Sequence, residues 1–368
     1  MRRLPLALVA VSVALLAACT TPTPPAPQPA PSTVAAGPDY SAWQAGQSSP
    51  ISDPVYPSLG NAGLDVLHYG LDLAWEPSSK TLTGAATLRL RASTDLPEIK
   101  LDFSKAYAID SVTLDGATSS GTLASDKLTV PTALAKDRNA TLVVKYHGTP
   151  TTVPMPSHRG DSEGLGLTIA SDGSLWTMQE PYGAFTWYPA NDQPSDKALY
   201  DIAITVPDGW AGIAGGTPAG QSGNTYRYTT SDPMASYLAT LAVGKYQKET
   251  ATGPHGLPLT YWYRPGKDDA MMKVIRKSPQ YLEWLEAKFG PYPFPSAGVV
   301  IVPSESAMET QQMVTMGDFK AAKASDNENL WEDVLVHEYA HHWFGDTVSP
   351  TNWNDVWLNE GWATYIEA

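Results

Sequence analysis

His337-Glu338-Tyr339-Ala340-His341 and, after the eighteen residues 342 to 359, Glu360 are the side chains whose types and spacing suit chemistry. On an α-helix, residues four apart lie one turn above each other on one face, so His337 and His341 can aim two imidazoles at one ion. Glu338 then lies just to the side. Two histidines and a carboxylate suit zinc and leave a fourth position for water. A closed structural zinc site more often uses cysteines, and the chain's single cysteine, Cys19, is remote in sequence. The pattern reads as a zinc hydrolase holding one Zn2+ ion, whose bound water is acidified and which polarises the scissile carbonyl. Glu338, not needed as a ligand, is the expected general base that takes a proton from that water and passes it to the leaving amine.

A bare HExxH also falls by chance on helices that bind nothing, so the flanking elements matter. Ser325-Asp326-Asn327-Glu328 has the form of a capping box that opens a helix, and Gly345 can close it. In the stretch around Glu360, the residues Leu358, Trp362, Tyr365 and Ile366 follow an i, i+4, i+7, i+8 spacing. That spacing predicts a buried helical stripe, with Glu360 on a different face. His342 is offset from His337 by about 140° around the helix, against about 40° for His341, which argues against it as a ligand. Thr364 has two readings: a hydrogen bond to a metal-bound histidine, or a helical threonine bonded to its own backbone. Asn359 reads as a helix-end polar residue, and Tyr339 and Trp343 as core.

These residues carry a family resemblance. The run from His337 to Glu367 resembles the zinc-binding core of the gluzincin metallopeptidases related to aminopeptidase N: HExxH, a spacer of this length, then Asn-Glu-Gly. Lys288-Phe289-Gly290-Pro291-Tyr292-Pro293-Phe294 resembles the segment before the family's substrate-binding strand. Ser306-Ala307-Met308-Glu309-Thr310 stands at the place of its Gly-x-Met-Glu-Asn exopeptidase motif. Gln179-Glu180-Pro181 and the run Trp187 to Lys197 resemble its N-terminal-domain signature. The likeness covers roughly residues 60 to 368. It implies a zinc aminopeptidase acting on peptides with a free N-terminus, with Met308 and Ala307 lining the substrate. Glu309 and Glu180 would accept the substrate's α-ammonium in charge-assisted hydrogen bonds.

Two departures from the family pattern leave other readings open. Ser306 replaces a glycine and Thr310 an asparagine, which admits a zinc endopeptidase on the same scaffold. The family also supplies a tyrosine hydroxyl from well downstream of the second metal helix, whereas this chain stops at Ala368 inside that helix. It therefore reads as a C-terminally truncated fragment, and a non-catalytic surface lipoprotein that binds zinc or peptide is the further alternative.

The N-terminus gives an address. Arg2 and Arg3 precede an apolar run from Leu4 to Ala18, too short for a comfortable membrane span, and Leu16-Ala17-Ala18-Cys19 looks like a bacterial lipobox. Residues 1–19 are thus expected to be a lipoprotein signal, with Cys19 lipidated and the protein held outside the cytoplasm on the cell membrane. Residues 20–50, rich in Pro, Ala and Thr, read as a tether. Leu67, Tyr69, Leu71, Leu73 and Trp75 then alternate with less apolar residues, and further short runs of period two follow, punctuated by Asp115-Gly116 and Asp208-Gly209. The expected architecture is multidomain α+β. An N-terminal all-β, sandwich- or saddle-like domain occupies residues 51–250, and a thermolysin-like α+β zinc-binding catalytic domain occupies 251–368, incomplete at its C-terminus. A formal charge of −14 with no clustered basic residues argues against nucleic acid as a partner.

Overall fold

A computed structural model describes residues 39–157 and 164–368. The expected signal, the expected lipidation site Cys19 and the expected tether up to residue 38 lie outside the described residues. Among the described residues, no helix is long and apolar enough to cross a membrane.

Strand Leu64–Glu76 follows the alternation in its sequence. Leu67, Tyr69, Leu71, Leu73 and Trp75 are buried, while Asp72, Ala74 and Glu76 face solvent. It pairs antiparallel with Thr81–Ala92 and parallel with Lys197–Thr205, at the centre of a nine-stranded sheet. Asp115 and Gly116, both at positive φ, make the tight hairpin between Tyr107–Leu114 and Ala117–Ser119. A four-stranded and a three-stranded sheet pack with it around one core that includes Trp187, Tyr188, Tyr146 and Phe103. The all-β expectation therefore describes this half of the molecule.

Two boundaries differ from expectation. Residues 41–50 are not free tether: Ser41–Gly46 is a 3-10 helix, and the Ser48 hydroxyl donates to the Lys197 carbonyl at 2.9 Å. The segment 51–60 is likewise tied down, with Ile51 N donating to Ser195 Oγ at 3.0 Å and Gly60 N to Asp102 Oδ2 at 2.7 Å. Its Pro, Gly and Ser content gives no periodicity, so only bonds to distant residues fix it. The second boundary falls a few residues before 251. Strand Gln247–Thr252 already belongs to the catalytic half's five-stranded sheet, which runs Gln247–Thr252, Pro258–Tyr263, Ala297–Val302, Val314–Gly317, Ala307–Met308.

One face of that mixed sheet packs on helices Ser278–Phe289 and Asn327–His341, through Leu282, Leu285, Val299, Ile301, Trp331, Leu335 and Tyr339. Val300, Val302 and Met308 alternate to the other face and join the β-domain core. The two halves thus share a continuous apolar interior between them. Helix Trp357–Glu367 lies against Asn327–His341 and closes the described chain.

Candidate active site

The HExxH residues sit in the last turns of helix Asn327–His341. The helix starts without the expected capping box. Asp326 is its N-cap and makes no side-chain cap bond, and Ala324–Asp326 is a 3-10 turn. The Asn327 carboxamide instead accepts from Ala321 N at 2.7 Å, which orders the incoming chain from the other direction. Gly345 lies beyond the helix end at φ +132°, and a Cβ there would fall 2.0 Å from Asn359 Oδ1. Glycine is required at that position by the close approach of the second helix.

That second helix buries a different stripe from the one its apolar residues suggest. Leu358, Trp362 and Tyr365 are 41%, 44% and 75% exposed, and Asn359, Ala363 and Ile366 are the buried residues. The small Ala363 lets the two helix backbones approach, and a large apolar face would hold them apart. This approach brings three donor atoms together. His337 Nε2 and His341 Nε2 are 3.0 Å apart, and Glu360 Oε2 lies 3.3 Å from the first and 3.6 Å from the second.

The spacing fits a metal. A tetrahedral ion about 2.0–2.2 Å from each donor sets those donors about 3.3 Å apart. Charge points the same way. Although burial alone disfavours a protonated His341, the carboxylates of Glu309, Glu360 and Glu338 raise its pKa well above the ordinary histidine value. Burial disfavours the Glu360 carboxylate too, but the imidazoles of His337 and His341 outweigh that and lower its pKa. A cluster that draws a proton onto a buried imidazole accepts a divalent cation in the proton's place. Two imidazole nitrogens and one carboxylate oxygen, with no thiolate, form a donor set suited to zinc.

Glu338 is buried, and burial pushes its carboxyl up to about 8. Ligand atoms of Glu338, Glu309 and His341 lie within 4.8 Å of one another, so Glu338 flanks the same small volume as the imidazoles. Glu309 follows the short strand Ala307–Met308 and is almost fully buried. Glu180 arrives from the β domain, half-buried; burial, then Glu309 and Glu360, raise its pKa well above the usual carboxylate range. Met308 links the two arms, because its sulfur accepts from Gln179 N at 3.3 Å. Ala307 and Met308 also border a narrow cavity of about 20 Å³ with Gln179 and Glu180. The departure at Thr310 leaves Glu309 in place: the Thr310 hydroxyl is buried and bonds to the Met313 carbonyl and to Thr315 Oγ1.

The segment Gln179 to Lys197 scaffolds Glu180. Trp187 Nε1 donates to Gln179 Oε1 at 3.0 Å, and Gln179 Nε2 donates to the carbonyls of Ser236 and Ala239. Lys197 Nζ reaches across to donate to the Asp346 carbonyl at 2.6 Å, just past the HExxH helix. His342 turns away from the metal cluster, its Nδ1 within 2.8 Å of the Tyr292 hydroxyl.

Sequence reasoning missed Asn359. Its Oδ1 accepts from His341 Nδ1 at 2.5 Å, and its Nδ2 donates to Glu180 Oε1 at 3.1 Å and Glu309 Oε1 at 3.0 Å. One buried carboxamide thus joins a candidate metal ligand to both candidate amine anchors. Its position i−4 to Ala363 on the packed face is the signal that could have revealed it. Thr364 is exposed, and Glu367 Oε2 is the group 2.7 Å from His337 Nδ1.

Two family models match the chain: the peptidase M1 N-terminal domain over residues 66–238, and the peptidase family M1 domain over residues 274–368. Aminopeptidase N of Streptomyces lividans is 31% identical over 208 residues, which are 53% of this chain and 24% of that protein. Aminopeptidase N of Acetobacter pasteurianus is 26% identical over 320 residues, covering 81% of this chain and 88% of that one. Among solved structures, an M1 zinc metallopeptidase mutant from Deinococcus radiodurans bound to a Tyr-Ser-Ala substrate superposes with a TM-score of 0.74 at 30% identity. That match covers 86% of this chain and 73% of the other. The chain therefore spans only about a quarter of the Streptomyces enzyme but most of the other two.

Proposed function

The chain belongs to peptidase family M1, and on that premise we propose that it is a zinc-dependent aminopeptidase that removes N-terminal residues from peptides. The observation that carries this reading is the convergence of His337, His341 and Glu360 beside the buried Glu309 and the half-buried Glu180. His337 and His341 would hold the ion through Nε2 and Glu360 through a carboxylate oxygen. Zinc bound there supplies a Lewis acid and lowers the pKa of water toward neutrality.

The protein's own groups do the rest. Glu338 takes a proton from the attacking water and returns it to the departing amine, and its raised pKa suits a group that must both accept and donate near neutral pH. Glu180 and Glu309 accept the α-ammonium of the substrate, which fixes the scissile carbonyl one residue from the chain end. A substrate with a blocked amine leaves the two anchoring carboxylates, one of them buried, facing an uncharged group, so it is rejected. Asn359 holds both carboxylates and the His341 ring in register.

The test compares aminoacyl p-nitroanilides with their N-acetylated forms on zinc-loaded protein. Hydrolysis of the free forms alone is expected. Equal cleavage of both would replace the exopeptidase reading with endopeptidase action on the same scaffold.

The protein is also exported and anchored through acyl chains on Cys19, a reading supported by the lipobox-like Leu16-Ala17-Ala18-Cys19 sequence. Palmitate labelling in a bacterial host should disappear in Cys19→Ala; labelling that persists rejects the anchor.

A further inference from the structure

A cavity of about 530 Å³ opens beside the metal cluster, bordered at one end by Glu180, His337 and Glu360. The rest of its lining is dominated by apolar groups, among them Tyr56, Met155, Trp353 and Val356. Two of these walls are held by a single side chain. Asp53 is almost fully buried; its Oδ1 accepts from Val55 N at 2.7 Å and Tyr56 N at 2.9 Å, and its Oδ2 accepts from Trp353 N at 2.7 Å. The strap around Tyr56 and the turn before the Glu360 helix are therefore fixed to each other across about 300 residues of chain. Each aromatic wall is also braced from behind. The Tyr56 ring meets Tyr182 edge-on at 5.1 Å, two residues after Glu180, and Trp353 meets Tyr237 edge-on at 5.1 Å.

This arrangement bears on the substrate's first side chain. A peptide with its ammonium on Glu180 and Glu309 and its first carbonyl beside His337 and Glu360 carries that side chain on the carbon between the two. The side chain must then enter a space that borders both groups, and this cavity does. Its volume lies in the range of ligand pockets, and a charged side chain reaching past the polar end, among Met155, Trp353 and Val356, would lose hydration against apolar walls.

Resting on the aminopeptidase reading, we propose that the Asp53–Tyr56 strap completes the pocket for the N-terminal residue. The Tyr56 ring, positioned by Asp53, selects aromatic and large aliphatic side chains there over small or charged ones. The phenol ring supplies the contact surface, and its hydroxyl is dispensable.

The experiment measures kcat/KM for the p-nitroanilides of Phe, Leu, Ala and Lys with wild type, Tyr56→Ala and Tyr56→Phe. In parallel, calorimetry follows L-phenylalaninamide and L-alaninamide binding to the zinc-loaded Glu338→Ala protein with and without Tyr56→Ala. Wild type should favour Phe and Leu. Tyr56→Ala should lower the Phe-to-Ala ratio about tenfold or more, mainly through KM, and Tyr56→Phe should keep it. Asp53→Ala should lower the ratio as well, because the ring then loses its anchor. A Phe-to-Ala ratio in Tyr56→Ala equal to wild type, in turnover and in binding, overturns the proposal, as does a wild-type preference for Lys or Ala. If wild type hydrolyses nothing yet binds phenylalaninamide in a Tyr56-dependent way, the pocket stands and the aminopeptidase reading falls.

Discussion

Asn359→Asp separates two tasks that one carboxamide performs. Its oxygen accepts from His341 Nδ1, and its nitrogen donates to Glu180 and Glu309. Aspartate keeps the acceptor and removes both donors. Each lost hydrogen bond to a charged group is worth about 1.5–3 kcal/mol, so the two together set an upper bound of about 3–6 kcal/mol. Water or a proton taken up by the crowded carboxylates offsets part of that, leaving about 3–4 kcal/mol, or roughly 10²–10³ in kcat/KM on free-amine substrates. Zinc affinity should change by less than about threefold, because the acceptor for His341 survives. Asn359→Ala should behave differently and weaken zinc by about 10–100-fold, the usual effect of losing a group that orients a ligand. Chelator competition gives the zinc affinities, and p-nitroanilides with free and acetylated amines give the kinetic ratio. If Asn359→Asp, fully loaded with zinc, keeps wild-type kcat/KM and wild-type preference for the free amine, the carboxamide does not connect the anchors to the metal cluster.

Other expectations concern single groups. Glu338→Ala should retain zinc and lose hydrolysis by about 10²–10⁴-fold, and activity near wild type would remove Glu338 as the base. Glu309→Gln should narrow the gap between free and blocked substrates; a gap as wide as in wild type assigns amine recognition elsewhere. Gly345→Ala puts a methyl group onto the Asn359 carboxamide at a backbone angle unsuited to alanine, so stability should fall by about 2 kcal/mol or more, read from urea unfolding. An unchanged unfolding midpoint there would contradict the tight contact between Gly345 and Asn359. Removing zinc with a chelator should abolish activity and lower Tm, with both restored by added zinc, because an ion bound to the folded state stabilises it by mass action.

Local pattern carried much of the architecture. Period-two alternation in Leu64–Glu76 shows in its sequence because one side of that strand packs on a core and the other meets water. HExxH needs only the fixed pitch of a helix to place His337 over His341. The helix Trp357–Glu367 shows where that logic stops. Its aromatic residues suggest one buried face, yet the packed face is Asn359, Ala363 and Ile366, because backbone proximity and not apolar area brings Glu360 to the imidazoles.

The segment 51–60 shows the same limit from the other side. It has no periodicity to read, and Tyr56 becomes a cavity wall only through Asp53 and a backbone group 300 residues away. Sequence alone determined the residue types of the candidate metal site, their helical spacing and the order of the β and α+β halves, since each depends on neighbours in the chain. The tertiary structure decided that Asn359 joins the metal cluster to Glu180 and Glu309, and that Tyr56 faces the same cavity as Glu360. Hydrogen bonds and contacts between remote segments leave no periodic trace in the residues that make them.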